Sequence, residues 1–399
     1  IALAESMIRT GGFDADAAWE WFRAWYATAT DVGSTIAGAL RHDDRSSFSP
    51  SPVNGAGNGA LMRAFPIALF MLTQPSHEVR QVVLDQAALT HGDPAAGWGA
   101  WIAVEMIRSA VAGVDPLAAL ASLLEVMPAE QLAVYGPLMA PEWTPDMPHV
   151  SNGSVWGCLA EAVWAVRTTS SFEAALVAAI DLGGDTDTVA CVAGAIAGAM
   201  YGIQGVPARW STYVNGTIGS PYGRLTYDAS ALQALATRLL GLTDPSDEVP
   251  EHPAGPVEVE PGVHAADLLG AARVPTDWAV VSLCRTQDRF KQHPHRRQVF
   301  LIDQEGDHNI GLQHAVHDAI DAVDAFLREG RPVVVHCHGG RSRTGLVLKA
   351  WKMRRDGLTE REAHDWLAER WHRYQDYNTT FVDFLRSSDQ RGTTTPHRR

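Results

Sequence analysis

Cysteine is scarce in this sequence: Cys158, Cys191, Cys284 and Cys337 are the four in 399 residues, with neither metal-ligand spacing nor the density of a disulfide framework. That excludes a disulfide-stapled small domain and points to a reducing compartment, the cytoplasm, which a cysteine nucleophile would need. Long apolar runs are lacking as well. No stretch of about eighteen uncharged apolar residues occurs, so no membrane span and no membrane partner are expected. Positive charge is in short supply, with 32 Lys and Arg against 46 Asp and Glu and a formal net charge of −14. Such a balance excludes a nucleic-acid binder whose whole surface is the footprint, and no nucleic-acid partner is expected, although a local basic site remains open. Neither an internal repeat nor a secretory signal pattern is visible. What is present is 46% hydrophobic and 20% charged residues over a length too great for one ordinary core, so two domains are the default.

Residues 1–242 are rich in Ala, Gly and Trp and read as helices without strand alternation. Trp19, Phe22 and Tyr26 recur at helical spacing behind Asp14, a candidate N-cap. Helices are also expected over 79–90, 97–112, 155–167, 172–181 and 187–201. The chain opens at Ile1 with a pattern that looks like the middle of a helix, so upstream sequence is expected to be missing. The Pro- and acid-rich stretch 243–262 has little to bury and reads as a linker. From 263 to 388 the pattern changes: apolar runs at 279–283, 299–302 and 332–335 suit buried strands, and helical segments fall at 312–328, 344–356, 360–371 and 379–387. The expected architecture is multidomain, an all-α domain followed by an α/β domain, ending in a polar disordered tail over 389–399.

The turn from the third apolar run into the helix beginning near Thr344 carries His336, Cys337, His338, Gly339, Gly340, Arg341, Ser342, Arg343 and Thr344. Five residues separate Cys337 from Arg343. A strand-to-helix loop of this length can turn its backbone N–H groups inward and add the positive end of a helix, which makes a cradle for a phosphate dianion. Gly339 and Gly340 permit the curvature, and Arg343 offers a planar fork to two phosphate oxygens. The same field favours Cys337 as the reactive thiolate, and the Thr344 hydroxyl can donate to its sulfur. Attack on a phosphoester also needs an acid for the leaving oxygen. Asp303, 34 residues before Cys337, is the candidate, with Asp307 as its rival. Cys284 is a core residue or a redox partner for Cys337. The basic stretch Arg285, Arg289, Lys291, His293, His295, Arg296 and Arg297 is a solvated surface or a guide for an anionic substrate.

Residues 263–387 resemble the dual-specificity branch of the protein tyrosine phosphatases, through Val281-Ser282-Leu283-Cys284, the acid loop ending at Asn309, the His-Cys-x-x-Gly-x-x-Arg-Thr-Gly loop and the trailing Asn378, Phe381, Phe384 and Leu385. The resemblance implies Cys337 as nucleophile, Arg343 and the loop residues 338–342 as phosphate binders, Thr344 as assistant to the departing sulfur, Asp303 as general acid, and no cofactor.

In the first half, Asp185 and Asp187 stand one residue apart before Thr188, a pattern that can place hard oxygen ligands on a divalent cation or merely cap a helix. Residues 183–202 and 206–210, together with Asn58–Pro66, Thr90–Pro94 and Asp31-Val32-Gly33, resemble the ADP-ribosylglycohydrolases. That resemblance implies two Mg²⁺ or Mn²⁺ ions with Asp185, Asp187 and Thr188 among their ligands. It also implies an ADP-ribose pocket shaped by Asn58, Gly59, Met62 and Arg63, with His91 a ligand contact or a structural histidine. The family's Thr-Asp-Asp motif has no counterpart here, so weak glycohydrolase activity is expected of this sequence. Taken together, the expected protein is a two-domain hydrolase, a phosphatase joined to a metal-dependent glycohydrolase. The alternative is a phosphatase guided by a non-catalytic ADP-ribose-binding module. Partners would be ADP-ribosylated or phosphorylated proteins or small molecules, with phosphoinositide or nucleotide as a further option.

Overall fold

The computed structural model of the chain describes residues 1–53, 55–147, 151–243, 252–286 and 289–392. It divides into two compact units, one of Ile1–Gly202 with Asn215–Asp244, the other of Ile203–Val214 with Pro245–Arg399.

The first unit is predominantly helical, as its periodicity implies. Its central helix is Pro94–Val111, started by Asp93, whose carboxylate accepts from Ala95 N at 2.9 Å, and by a proline at the first helical position. Twelve of its eighteen residues are buried, and it packs against helices Ser76–Ala88, Val155–Thr168 and Thr186–Tyr201. Ala and Gly on these helices let the axes approach: a methyl on Gly97 would stand 2.7 Å from Leu84 Cδ2. Asp14 caps Ala15–Tyr26 through Ala17 N at 2.8 Å. One feature departs from the all-α expectation, an antiparallel hairpin of β1 (Asn215–Ser220) and β2 (Gly223–Asp228). Its Gly-rich first strand carries no apolar alternation to announce it. Gly219 is required there, because a Cβ would lie 2.2 Å from Ala24 O.

The second unit is α/β. Its strands are β3 (Val257–Glu260), β4 (Val263–Asp267), β5 (Ala279–Ser282), β6 (Arg296–Gln298) and β7 (Val333–Cys337), ordered β3-β4-β7-β5-β6. All neighbours are parallel except β3 and β4. Side-chain alternation divides the core in two: Val333 and Val335 face one cluster with Val281 and Leu346, while Val334 faces another with Val280 and Phe290. Helix Leu312–Arg328 buries Ala315, Val316, Ala319, Ile320, Val323 and Phe326, a stripe at helical spacing.

Three boundaries differ from the sequence expectation. The strand expected over 299–302 forms three residues earlier, at the sheet edge; only Val299 N continues the pairing, to Ser282 O at 2.8 Å, before the chain leaves the sheet with Ile302 exposed. The stretch read as a linker contributes β3 at its end, while residues 244–251 lie outside the described residues. The last helix runs Thr379–Gly392, into the expected tail, whose remainder, 393–399, also lies outside the described residues.

Strand β7 lies at the middle of the sheet, flanked by β4 and β5, and its carboxyl end opens directly into helix Ser342–Asp356. In a parallel sheet that end is where loops gather and ligands bind.

Candidate functional site

Residues 336–344 form a tight turn against the ends of β4 and β5. Asp267 is in register with Cys337 and Ser282 with His336. Leu268 N donates to His338 O at 3.1 Å, and the Trp371 indole N–H donates to Gly340 O. Gly340 has φ +67°, and a Cβ on it would meet Ala266 O at 2.9 Å, so both its backbone and its neighbour demand glycine. Inside the turn Cys337 is buried, and Thr344 Oγ1 donates to its Sγ at 3.2 Å. Arg343 is buried and donates through Nη1 to Leu301 O at 3.0 Å and Leu283 O at 3.4 Å, which fixes the guanidinium plane. His338, Gly340 and Ser342 are buried, Gly339 is half-buried and Arg341 is exposed.

The acid candidate comes to the same place. Asp303 Oδ2 lies 3.6 Å from Arg343 Nε and accepts from the Tyr377 hydroxyl at 2.7 Å, and Oδ1 accepts from Asn378 Nδ2 at 3.3 Å. Burial, together with the Asp303 hydrogen bond and charge, raises the Tyr377 phenol well above its ordinary value, so it remains a donor. Asp307 is exposed in the same loop. The arrangement therefore holds a thiol with a hydroxyl donor, a fixed guanidinium and a carboxyl group at one end of the sheet, the components of a two-step phosphoryl transfer through sulfur. Cys284 is buried in the core. Within the basic stretch, Arg296 donates to His293 O at 2.7 Å and Arg297 to the Tyr213 hydroxyl at 3.0 Å, so these two are tied to their own surface.

In the first unit the residues singled out by sequence converge around Asn58. Asn58 Nδ2 donates to Asp185 Oδ2 at 2.6 Å and to Asn152 O at 3.0 Å. A methyl on Gly59 would stand 2.6 Å from Ile36 Cδ1 and 3.5 Å from His91 Cε1. His91 pairs with Thr90 Oγ1 at 2.7 Å, and burial followed by the nearby Arg63 charge pushes its imidazole down to about 3. Arg63, which follows the half-buried Met62, grips Gln86 through Nε to Oε1 at 2.8 Å and Nη2 to O at 2.7 Å, over the Phe22 ring. Burial brings its guanidinium down to about 9, still cationic at neutral pH.

A family model for ADP-ribosylglycohydrolase matches residues 1–248, more than half of the sequence. The chain belongs to the ADP-ribosylglycohydrolase family. Fused to that family domain is a phosphatase-like domain, residues 278–389, matched by the model for the dual specificity phosphatase catalytic domain. Among curated relatives, the ADP-ribosyl-[dinitrogen reductase] glycohydrolase of Rhodospirillum rubrum is 26% identical over 213 residues, 53% of this chain and 69% of that protein. The ADP-ribosylarginine hydrolase Tri1 of Pseudomonas putida (strain GB-1) is 27% identical over 224 residues, 53% of this chain and 59% of that protein. A solved structure of Tk-PTP in its active form aligns with 34% of this chain and 95% of its own, at 21% identity and a TM-score of 0.30.

The expected Mg²⁺ or Mn²⁺ centre of the glycohydrolase domain is corrected by the structure. Among the described residues, the one grouping of three acidic or His side chains close enough to share an ion is Glu360, His364 and Asp376, in the phosphatase unit. There Lys349 Nζ already supplies a cation, 2.8 Å from Glu360 and 2.8 Å from Asp376. Asp185, Asp187 and Thr188 form no such grouping. Asp185 is occupied by the Asn58 amide, Asp187 is exposed, and Asp187 Oδ1 takes Thr188 N at 2.9 Å within the first turn of its helix.

Sequence reasoning missed two residues. Asn152 donates to Glu161 Oε2 at 2.8 Å and Gly183 O at 2.9 Å and accepts from Asp185 N at 3.0 Å, so it fixes the turn carrying Asp185. The Asn-Gly pair before a Ser-capped helix was the available signal. Tyr377 was the other, adjacent to Asn378.

His336, at the start of the turn, pairs with Ser282 Oγ at 2.7 Å, and burial pushes its imidazole down to about 3. Between its ordinary value of 6.5 and about 3, the unfolded chain binds a proton that the folded chain does not, so stability falls as pH falls through that window. His336→Asn should therefore lose roughly 2 kcal/mol less than the parent between pH 7 and pH 5 in urea titrations. Equal losses would contradict a neutral buried imidazole.

Proposed function

We propose that the second unit is a cysteine-dependent phosphatase for phosphoproteins or other phosphoesters. Cys337 is the nucleophile: its thiolate attacks phosphorus, an S–P bond forms, and the P–O bond to the leaving group breaks. Asp303 gives a proton to the departing oxygen, then takes one from the water that hydrolyses the phosphocysteine. Arg343, with the main chain of residues 338–342, holds the equatorial oxygens, while Arg341 is exposed at the same turn. Thr344 steadies the sulfur as a leaving group. The observation that carries this reading is the Thr344 hydroxyl on Cys337 Sγ at 3.2 Å within a loop whose Arg343 faces Asp303 at 3.6 Å. Asp303 is preferred to Asp307 because only the former has donors that aim it at the turn.

Hydrolysis of p-nitrophenyl phosphate under reducing conditions tests the nucleophile: Cys337→Ser should abolish it, a loss of at least about a thousandfold. Asp303→Asn should cost about a hundredfold on an alkyl phosphate and far less on the nitrophenyl ester, whose phenolate leaves without a proton. A folded parent chain without phosphatase activity would overturn the reading.

For the first unit, the engagement of Asp185 by Asn58 favours the reading in which it recognises ADP-ribosyl groups and guides the phosphatase to modified proteins. The two curated relatives are named for removing such groups from dinitrogen reductase and from arginine, which makes an ADP-ribosylated protein the target class. Asn58, Gly59, Met62 and Arg63 would line the pocket, with the uncharged His91 addressing ribose hydroxyls. Calorimetry should register ADP-ribose binding that weakens about tenfold or more in His91→Ala. Release of ADP-ribose from an ADP-ribosylated protein would instead mark this unit as an eraser, and no binding at all would exclude both.

A further inference from the structure

Residues Ile203–Val214 fall within the stretch matched by the ADP-ribosylglycohydrolase model and outside the phosphatase match, yet they pack in the second unit. Their anchors are specific. Ala208 N donates to Asp318 Oδ2, Thr212 Oγ1 accepts from Gln298 N at 3.0 Å, and the Tyr213 hydroxyl donates to Pro294 O at 2.9 Å. Gln204, on the short turn Ile203–Gly205, is buried and spans two points of the acid loop. Its Nε2 donates to Asn309 Oδ1 at 2.6 Å, and its Oε1 accepts from Gly311 N at 3.0 Å. Gly311 is glycine for room, since a Cβ would stand 3.0 Å from Gln204 Cβ.

Asn309 is the clasp of that loop. Its Oδ1 also accepts from Ile302 N at 2.9 Å, and its Nδ2 donates to Ile302 O at 2.9 Å, closing residues 302–309 into a ring. Asp303 is the next residue after Ile302. Residues 304–308 are all exposed, so polar bonds hold the loop: Asn309 and Gln204 at its base, and farther along Glu305 Oε1, which accepts from Thr379 Oγ1 at 2.9 Å, and Gly306 N, which donates to Thr380 Oγ1 at 2.8 Å.

We propose that Gln204 is a positioning residue for Asp303: by fixing Asn309 and Gly311 it sets the base of the acid loop and so the reach of the carboxyl toward the leaving group. This rests on the assignment of Asp303 as general acid. It also places the functional boundary of the phosphatase at the segment 203–214, upstream of the stretch 243–262.

The test uses the full chain and three variants, Gln204→Ala, Asp303→Asn and the double variant, each assayed on p-nitrophenyl phosphate and on an alkyl phosphate, with thermal melting to confirm folding. Gln204→Ala should slow alkyl phosphate turnover about tenfold and leave the nitrophenyl ester within about twofold. The double variant should be no slower than Asp303→Asn alone, because both changes remove the same proton delivery. Gln204→Glu keeps the acceptor for Gly311 N but cannot donate to Asn309, and should show the same split if the alanine variant folds poorly. Equal losses on both substrates, or multiplicative losses in the double variant, would overturn the proposal. A parent and Asp303→Asn that respond alike to leaving group would overturn the acid assignment and this proposal with it.

Discussion

The second unit depends on one constraint: a parallel strand must end, hold a cysteine, and feed a helix within a turn short enough for its N–H groups to converge. Everything around that turn removes freedom from it. The register that pairs Ser282 with His336 and Asp267 with Cys337 fixes where the strand stops. Gly340 takes the left-handed conformation against Ala266, and Leu268 and Trp371 tie the carbonyls of His338 and Gly340. Asp267, fully buried, spends its carboxylate on Ala254 N at 2.8 Å and Gly270 N at 2.6 Å, which holds the neighbouring strand end in turn. Behind the turn, Lys349 on the following helix joins Glu360 and Asp376, a buried ion-pair network that links this helix to the segments on either side of Trp371. Lys349 meets two carboxylates, so it keeps a partner when either is lost, whereas loss of Lys349 would leave Glu360 and Asp376 without their shared cation.

The first unit obeys a related logic with amides in place of a sulfur. Asn152 and Asn58 connect four backbone segments through hydrogen bonds to Glu161, Gly183 and Asp185. Gly184, with φ +71°, lies so close that a Cβ would meet Asn152 Oδ1 at 2.5 Å. The Gly-Gly-Asp turn is thus shaped by an asparagine side chain, and the Asp185 carboxylate faces an amide donor.

Local chemistry made much of this legible in the sequence. Cys337, Arg343 and Thr344 lie within one turn, so residue type and spacing were enough to place them together. Helices such as 172–181 and 312–328 were visible because their apolar stripes are continuous and their ends carry caps or glycines. What stayed hidden has partners far along the chain. Tyr377 reaches Asp303 across 74 residues, and Asn152 reaches Asn58 across 94, separations no periodicity encodes. The hairpin 215–228 has an apolar face of only three side chains, Ile218, Leu225 and Tyr227, too few to show as a strand pattern, and β3 sits in a stretch whose composition resembles a linker because an edge strand needs few buried residues. The metal expectation failed because the Asp185 carboxylate is taken by the Asn58 amide, a partner 127 residues away along the chain.

The central claim is that phosphoryl groups pass through the sulfur of Cys337. Acid quenching of the full chain during turnover, followed by mass spectrometry of its peptides, tests this directly. The account expects a phosphoryl group on the Cys337 peptide, absent when substrate is omitted. Turnover that proceeds with Cys337 unmodified and another residue carrying phosphate would contradict it.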